Sequence, residues 1–228
     1  MQPRHIFKTG AAVLILALAF IFTSELLRVL VLSGGDPMTA GNSLFVPTFV
    51  LSMIGTTLLV ISFPITYARQ AARAGKTGLI GLGCYIGSGL VFGLALPAID
   101  AVIAPFLYAD PSTRALLTSG HPAGFVPLVI IGTLLFTIGN LCYGIGTLRA
   151  GVYPRAFAIS LMVAAAFEVG GFVTQAANLN LPAWTDLVTD VASFGPIAAM
   201  AVWLLTETAI NVKKLESASV RAALAGDN

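Results

Sequence analysis

Six times along this chain an apolar run longer than twenty residues is interrupted only by a short polar or basic turn: about 10–32, 44–67, 78–107, 125–148, 156–177 and 187–209. A hydrocarbon layer about 30 Å thick is crossed by about 20 apolar residues at about 1.5 Å rise each, so every run is long enough to span as a helix. The alternating apolar and polar positions of a membrane barrel strand are absent from these runs. Only 10% of the residues are charged and 57% are apolar, against about 25% charged in a soluble domain. Too little charge remains to cover a water-facing surface. The fold class is therefore all-α: a polytopic membrane protein forming a bundle of six transmembrane helices, one domain over residues 1–228, with the lipid bilayer as its first partner.

The basic residues set an orientation. Arg4 and Lys8 precede the first run; Arg69, Arg73 and Lys76 lie between the second and third; Arg149 and Arg155 separate the fourth and fifth; Lys213, Lys214 and Arg221 follow the sixth. Six spans put all ten on one side, leaving of the twelve only Arg28 inside a run and Arg114 in a loop. The positive-inside rule then makes both termini cytoplasmic. Charge gathered at one membrane face also argues against a nucleic-acid partner. The first run exceeds the roughly 7–15 apolar residues of a signal peptide, and Ala17-Leu18-Ala19 falls in its middle rather than at its end, so an uncleaved span is expected. Trp184, Trp203, Tyr67 and Tyr153 stand where interfacial anchors belong, and the polar tail 216–228 is expected to fray.

The turn Gly146-Thr-Leu-Arg149-Ala-Gly151-Val-Tyr-Pro154-Arg155 resembles one in a bacterial family of six-span membrane proteins classed as domain of unknown function 4386, which reads much like Gly-x-Leu-x-x-Arg-Ser-Gly-x-x-Pro-Arg. Glu25-Leu-Leu-Arg28 and Asp36-Pro-Met-Thr39-Ala40-Gly-Asn42 are similar to its acid-then-Arg and Asp-x-x-Thr-Ala-x-Asn patterns; Ala150 stands where the family has Ser, and 156–159 lacks a Gly. The resemblance implies a six-span bundle in a bacterial cytoplasmic membrane. It implies no activity, cofactor or catalytic residue.

Charges inside lipid cost at least about 2.5–3.5 kcal/mol each, so each needs a reason. Glu168 lies thirteen residues beyond Arg155, about 20 Å along a helix, just past the middle of the fifth span. Glu25 is nearer the outer end of the first span, with Arg28 one turn on and able to pair with it. Asp100 and Asp190 come from the third and sixth spans near the same boundary. One reading is an outward-facing acidic pocket for a small cation, an amine or protons, built from Glu168, Glu25, Arg28, Asp100 and Asp190 and lined also by Asn140, Tyr143 and Gln175. The other is a non-catalytic accessory subunit packing on other membrane proteins or on a second copy, its acids structural.

The third run carries Gly83, Gly87, Gly89 and Gly93, two small-xxx-small pairs that favour close helix packing or dimerisation. Pro97 in the same run predicts a kink. Cys84 and Cys142 should lie at similar depth without forming a CxxC pair; His5 and His121 both fall outside the runs. No histidine is thus placed to activate Ser24, Ser88 or Ser193, and neither HExxH, GxSxG nor a phosphate-cradling loop occurs. No catalytic residue, metal ligand set or cofactor is assigned, and an enzyme is the least supported class.

Overall fold

Helix is the only regular structure among the described residues of the computed structural model, which are 3–34, 36–118, 125–176 and 184–226, with side chains described for 5–34, 36–117, 126–174, 185 and 187–207. Six helical stretches are long and apolar enough to cross a membrane: His5–Val31, Phe45–Ala68, Ala71–Ala109, Val126–Ala150, Arg155–Thr174 and Leu187–Glu207. Lipid offers the backbone no hydrogen bonds, so every N–H and C=O in an apolar run must bond within its own helix. This is the six-span, all-α bundle that the runs require.

Span one is α1 (Pro3–Val31), and span two is α2 (Phe45–Ser62) continued by α3 (Pro64–Ala68). Span three comprises α4 (Ala71–Gly89), a π-helical segment (Leu90–Ala95) and α5 (Leu96–Ala109); the short α6 (Arg114–Thr118) follows. The remaining spans are α7 (Phe125–Ala150), α8 (Arg155–Ala176) and α9 (Trp184–Gly226). Two bounds differ from the sequence reading. The helical stretch of span three starts at Ala71 rather than about residue 78, but it is broken at Gly75, so Arg73 lies on a short turn ahead of the helix that continues from Lys76. The tail expected to fray continues α9 as helix to Gly226.

The helices close into a ring. α1 packs on α2 and α9, α8 lies between α9 and α7, and α4 runs along α7 in the most extensive pairing of the bundle. Past the π segment, span three changes neighbour, for α5 leans on α2. Pro97 explains the switch: it has no N–H to donate, and its ring conflicts with the carbonyl of Gly93 four residues earlier. The wider π turn over Leu90–Ala95 absorbs that conflict. The expected kink thus takes the form of a π segment one turn before the proline. α5 is thereby carried away from α7, which opens the centre of the ring at one end.

That end, holding the 32–44 connection and α6, is called the far end; the end with the 69–71 and 150–154 turns is the basic end. Glycine makes the α4–α7 contact possible. A methyl group on Gly146 would sit 2.6 Å from Gly78 Cα, and one on Gly139 would sit 2.8 Å from Tyr85 N. The glycines singled out by spacing behave differently. Gly83 faces open space and Gly87 meets only the Leu135 side chain, whereas Gly93 packs against Thr56 of α2. Cys84 and Cys142 are free thiols on this same helix pair, within electrostatic range of one another.

At the basic end, Gly75 takes φ 64° and ψ −165° within α4, a region open essentially to glycine alone. Gly75→Ala meets no neighbour, so its cost is pure backbone strain, about 1–3 kcal/mol. A fall in melting temperature of the purified variant, with no change in oligomeric state, is the expected result.

The 150–154 turn reaches into the core. Gly151 closes α7 with its N–H on Thr147 O at 3.2 Å and φ 60°. Tyr153 then turns inward, where its Oη donates to Thr66 O at 3.0 Å and its ring lies 5.0 Å from that of Trp203. It is 4% exposed, so it is a core residue rather than the interfacial anchor expected. Burial, foremost, holds the phenol well above its ordinary pKa and keeps it a neutral donor.

Candidate functional site

The centre of the ring holds a cavity of about 320 Å³ to which all six spans contribute. α1 supplies Ile21, Ser24, Glu25 and Arg28, whereas α2 supplies Phe49, Ser52, Thr56 and Leu59. Phe49 and Leu59 are ten residues apart on one helix, so the cavity runs about 15 Å along the bundle axis. Its walls continue through the π segment to Asp100 on α5 and across to Glu168 on α8 and Asp190 on α9.

The five charged residues singled out from the sequence therefore line one space. Four are acids and one is a base. Arg28 Nε donates to Glu25 Oε2 at 2.6 Å, and its Nη1 donates to Gly34 O at 3.0 Å, so the base is tied both to its neighbour and to the turn that follows α1. The Asp190 carboxyl lies in hydrogen-bond reach of Glu25 and within electrostatic range of Arg28 and Glu168. Glu168 makes no side-chain hydrogen bond among the described residues. One guanidinium against four carboxyls leaves the cavity strongly acidic.

The lining also includes Tyr85 and Ser193, which are 2% and 3% exposed. Among the described residues neither Tyr85 Oη nor Ser193 Oγ has a hydrogen-bond partner, and Asp190 Oδ2 is likewise buried and unpartnered. A buried polar group left unmade costs about 1–3 kcal/mol. Ser193 lies one turn beyond Asp190 on the same face of α9, and the Tyr85 phenol is within electrostatic range of Asp190 and Glu168. Three residues of the cavity lining thus carry a buried oxygen without a partner among the described residues. Neither Tyr85 nor Ser193 was assigned to the pocket from sequence; the spacing of Ser193 from Asp190 was the one available signal.

Asn140 and Tyr143, expected among the pocket-lining residues, lie elsewhere. Tyr143 is two turns nearer the basic end than Phe136, the residue α7 contributes to the cavity. Its hydroxyl bonds to Thr66 Oγ1 at 2.6 Å, and beside that pair Gln70 Nε2 donates to Thr147 Oγ1 at 2.9 Å. Asn140 is fully buried and donates to Phe136 O of its own helix at 3.0 Å. Between this polar layer and the cavity stands an aromatic floor: the Phe63 ring lies 4.7 Å from Tyr85 and 5.1 Å from Tyr143, with Phe136 5.4 Å from Tyr85. The Gln175 side chain lies outside the described residues.

The carboxyls surround the space rather than converge on a point. Among the described residues, no three His, Cys, Asp or Glu side chains come close enough to hold a metal ion. Arg114, isolated in the sequence, is engaged at the far end, where its Nε donates to Tyr108 O at 2.6 Å and its guanidinium sits 4.3 Å from the Tyr108 ring centre. Protein-family models, curated proteins and solved structures, searched with this chain, give no match.

Proposed function

We propose that this chain binds a small cation, an amine or protons in the central acidic cavity, as an integral protein of a bacterial cytoplasmic membrane. In this reading the basic end faces the cytoplasm, both termini are inside and the cavity serves the outer side. The carrying observation is the meeting of Glu25, Asp100, Glu168 and Asp190, from four spans, around one cavity with a single arginine. Each of these charges is expensive within an apolar bundle, and a bound cation would offset that cost by neutralising them together. Were the acids structural, as in an accessory subunit, each would be expected to satisfy a helix contact; Glu168 satisfies none among the described residues. Transport would require the Phe63–Tyr85–Phe136 floor to part, with the π segment beside it as the natural place to bend.

Carbodiimide labelling of the purified protein, mapped by mass spectrometry, tests this reading. Glu168 and Asp190 are expected to react, and at least one member of a panel of sodium, potassium, calcium and alkylammonium salts is expected to protect both, with Glu168→Gln as the labelling control. Reaction that no cation in the panel slows would sink the proposal.

A further inference from the structure

We propose that the cavity is built for a protonated primary amine carrying an aromatic or short alkyl body, an inference that rests on the cation reading above and narrows it. Three features of the site select that class.

The first is the count of unsatisfied oxygens. Of the side-chain oxygens buried without a partner among the described residues, three belong to the cavity lining: Tyr85 Oη, Ser193 Oγ and Asp190 Oδ2. A primary ammonium carries three N–H donors, as a lysine head group does, which is one for each oxygen. A quaternary ammonium has no N–H and would leave all three oxygens as they are. The bare proton would satisfy at most one.

The second is the shape of the charge. Because no three ligating side chains converge among the described residues, the site lacks the tight oxygen cage that a calcium or magnesium ion takes. The volume of about 320 Å³ also exceeds what a bare ion fills. It falls within the range of small-molecule sites, roughly 300–1,000 Å³.

The third is the wall. Phe49, Phe92, Phe136 and Phe194 line the cavity beside the acids. Their faces attract a cation and their bulk accepts a hydrocarbon body. An inorganic cation or a proton can use the ring faces but has no hydrocarbon body to set against the apolar bulk of four phenyl rings. An amine with an apolar body uses both halves of the lining, with its head toward Asp190 and Ser193 and its body against the rings.

Phenethylamine, its neutral isostere phenethyl alcohol, phenethyltrimethylammonium and calcium chloride separate the possibilities. Each would be titrated into the full-length protein in nanodiscs by calorimetry near neutral pH, with thermal unfolding in parallel, using the wild type, Tyr85→Phe and Ser193→Ala. Both variants delete an unpartnered hydroxyl and keep the wall, so the unliganded melting temperature should hold or rise. Phenethylamine is expected to bind at least about tenfold more tightly than the alcohol or the quaternary ion, and Tyr85→Phe to weaken it about tenfold, the worth of one hydrogen bond to a charged group. Equal affinity for the alcohol or the quaternary compound, or an unchanged affinity in both variants, overturns the primary-amine assignment. Failure of phenethylamine to bind while an inorganic cation still blocks carbodiimide labelling overturns the amine and leaves the cation reading standing. If no cation blocks labelling, both fall together.

Discussion

Asp190→Asn is expected to weaken binding of the protecting cation roughly thirtyfold or more while leaving the empty protein slightly more stable than wild type. The two effects have opposite signs because the same carboxyl serves them differently. In the empty cavity Asp190 sits in hydrogen-bond reach of Glu25 and within electrostatic range of Glu168, so three acids either repel or must share protons. An asparagine amide there donates to Glu25 permanently and removes one like charge. Relief of this kind is worth about 0.5–2 kcal/mol, or a few degrees in melting temperature. With the cation bound, the substitution instead removes one partner of a buried charge pair, at about 2–5 kcal/mol. Calorimetry and thermal unfolding on the same preparations read both quantities. A structural acid would give the reverse pattern: Asp190→Asn would lower the melting temperature and leave cation protection intact, and that outcome would remove Asp190 from the site.

How much of this was legible in the sequence depended on the energy scale of each feature. Span count was legible because transfer into lipid sums over about 20 residues, so the composition of each run suffices. The meeting of Glu25, Arg28, Asp100, Glu168 and Asp190 was legible because each buried charge is too costly to strand on a lipid-facing surface, which leaves the bundle centre as the place for them. Asn140 and Tyr143 were misplaced for another reason. Thr133, Thr137, Asn140, Tyr143 and Thr147 recur at helical spacing on α7 and mark its inward face, but spacing does not tell at which level along the bundle the cavity ends, and Asn140 and Tyr143 lie beyond it toward the basic end. Asn140 donates to Phe136 O of its own helix, and its Oδ1 is buried without a partner among the described residues although it lines no part of the cavity. Tyr85 went unseen because a tyrosine in an apolar helix reads as bulk, and only the absence of a partner for its hydroxyl marks it. Pro97 announced a disturbance but not its form, since whether a helix bends or widens into a π turn depends on the neighbour it must reach.

The same limit applies to glycine spacing, and there it yields a sharp contrast between two residues on one helix. Gly81→Ala is expected to destabilise the bundle by about 1–3 kcal/mol, toward the upper end of what overpacking costs. Its methyl group would lie 2.7 Å from Tyr143 Cα. What stands in the way is backbone of the facing helix, which cannot swing aside as a side chain can, so α4 and α7 would have to separate along the most extensive contact in the ring. Gly83→Ala, two residues on, meets open space and should be neutral or stabilising by up to about 1 kcal/mol, because alanine holds a helix better than glycine. Melting temperatures in a mild detergent decide between them, at roughly 2–4 °C per kcal/mol for a chain of this size. The separation should also reach the cavity: Tyr85 lies against Gly139 on this seam, so Gly81→Ala is expected to lower cation affinity as well, whereas Gly83→Ala leaves it unchanged. Equal melting temperatures for the two variants would show that α4 and α7 do not meet through this glycine face, and the position of Tyr85 at the cavity floor would fall with it.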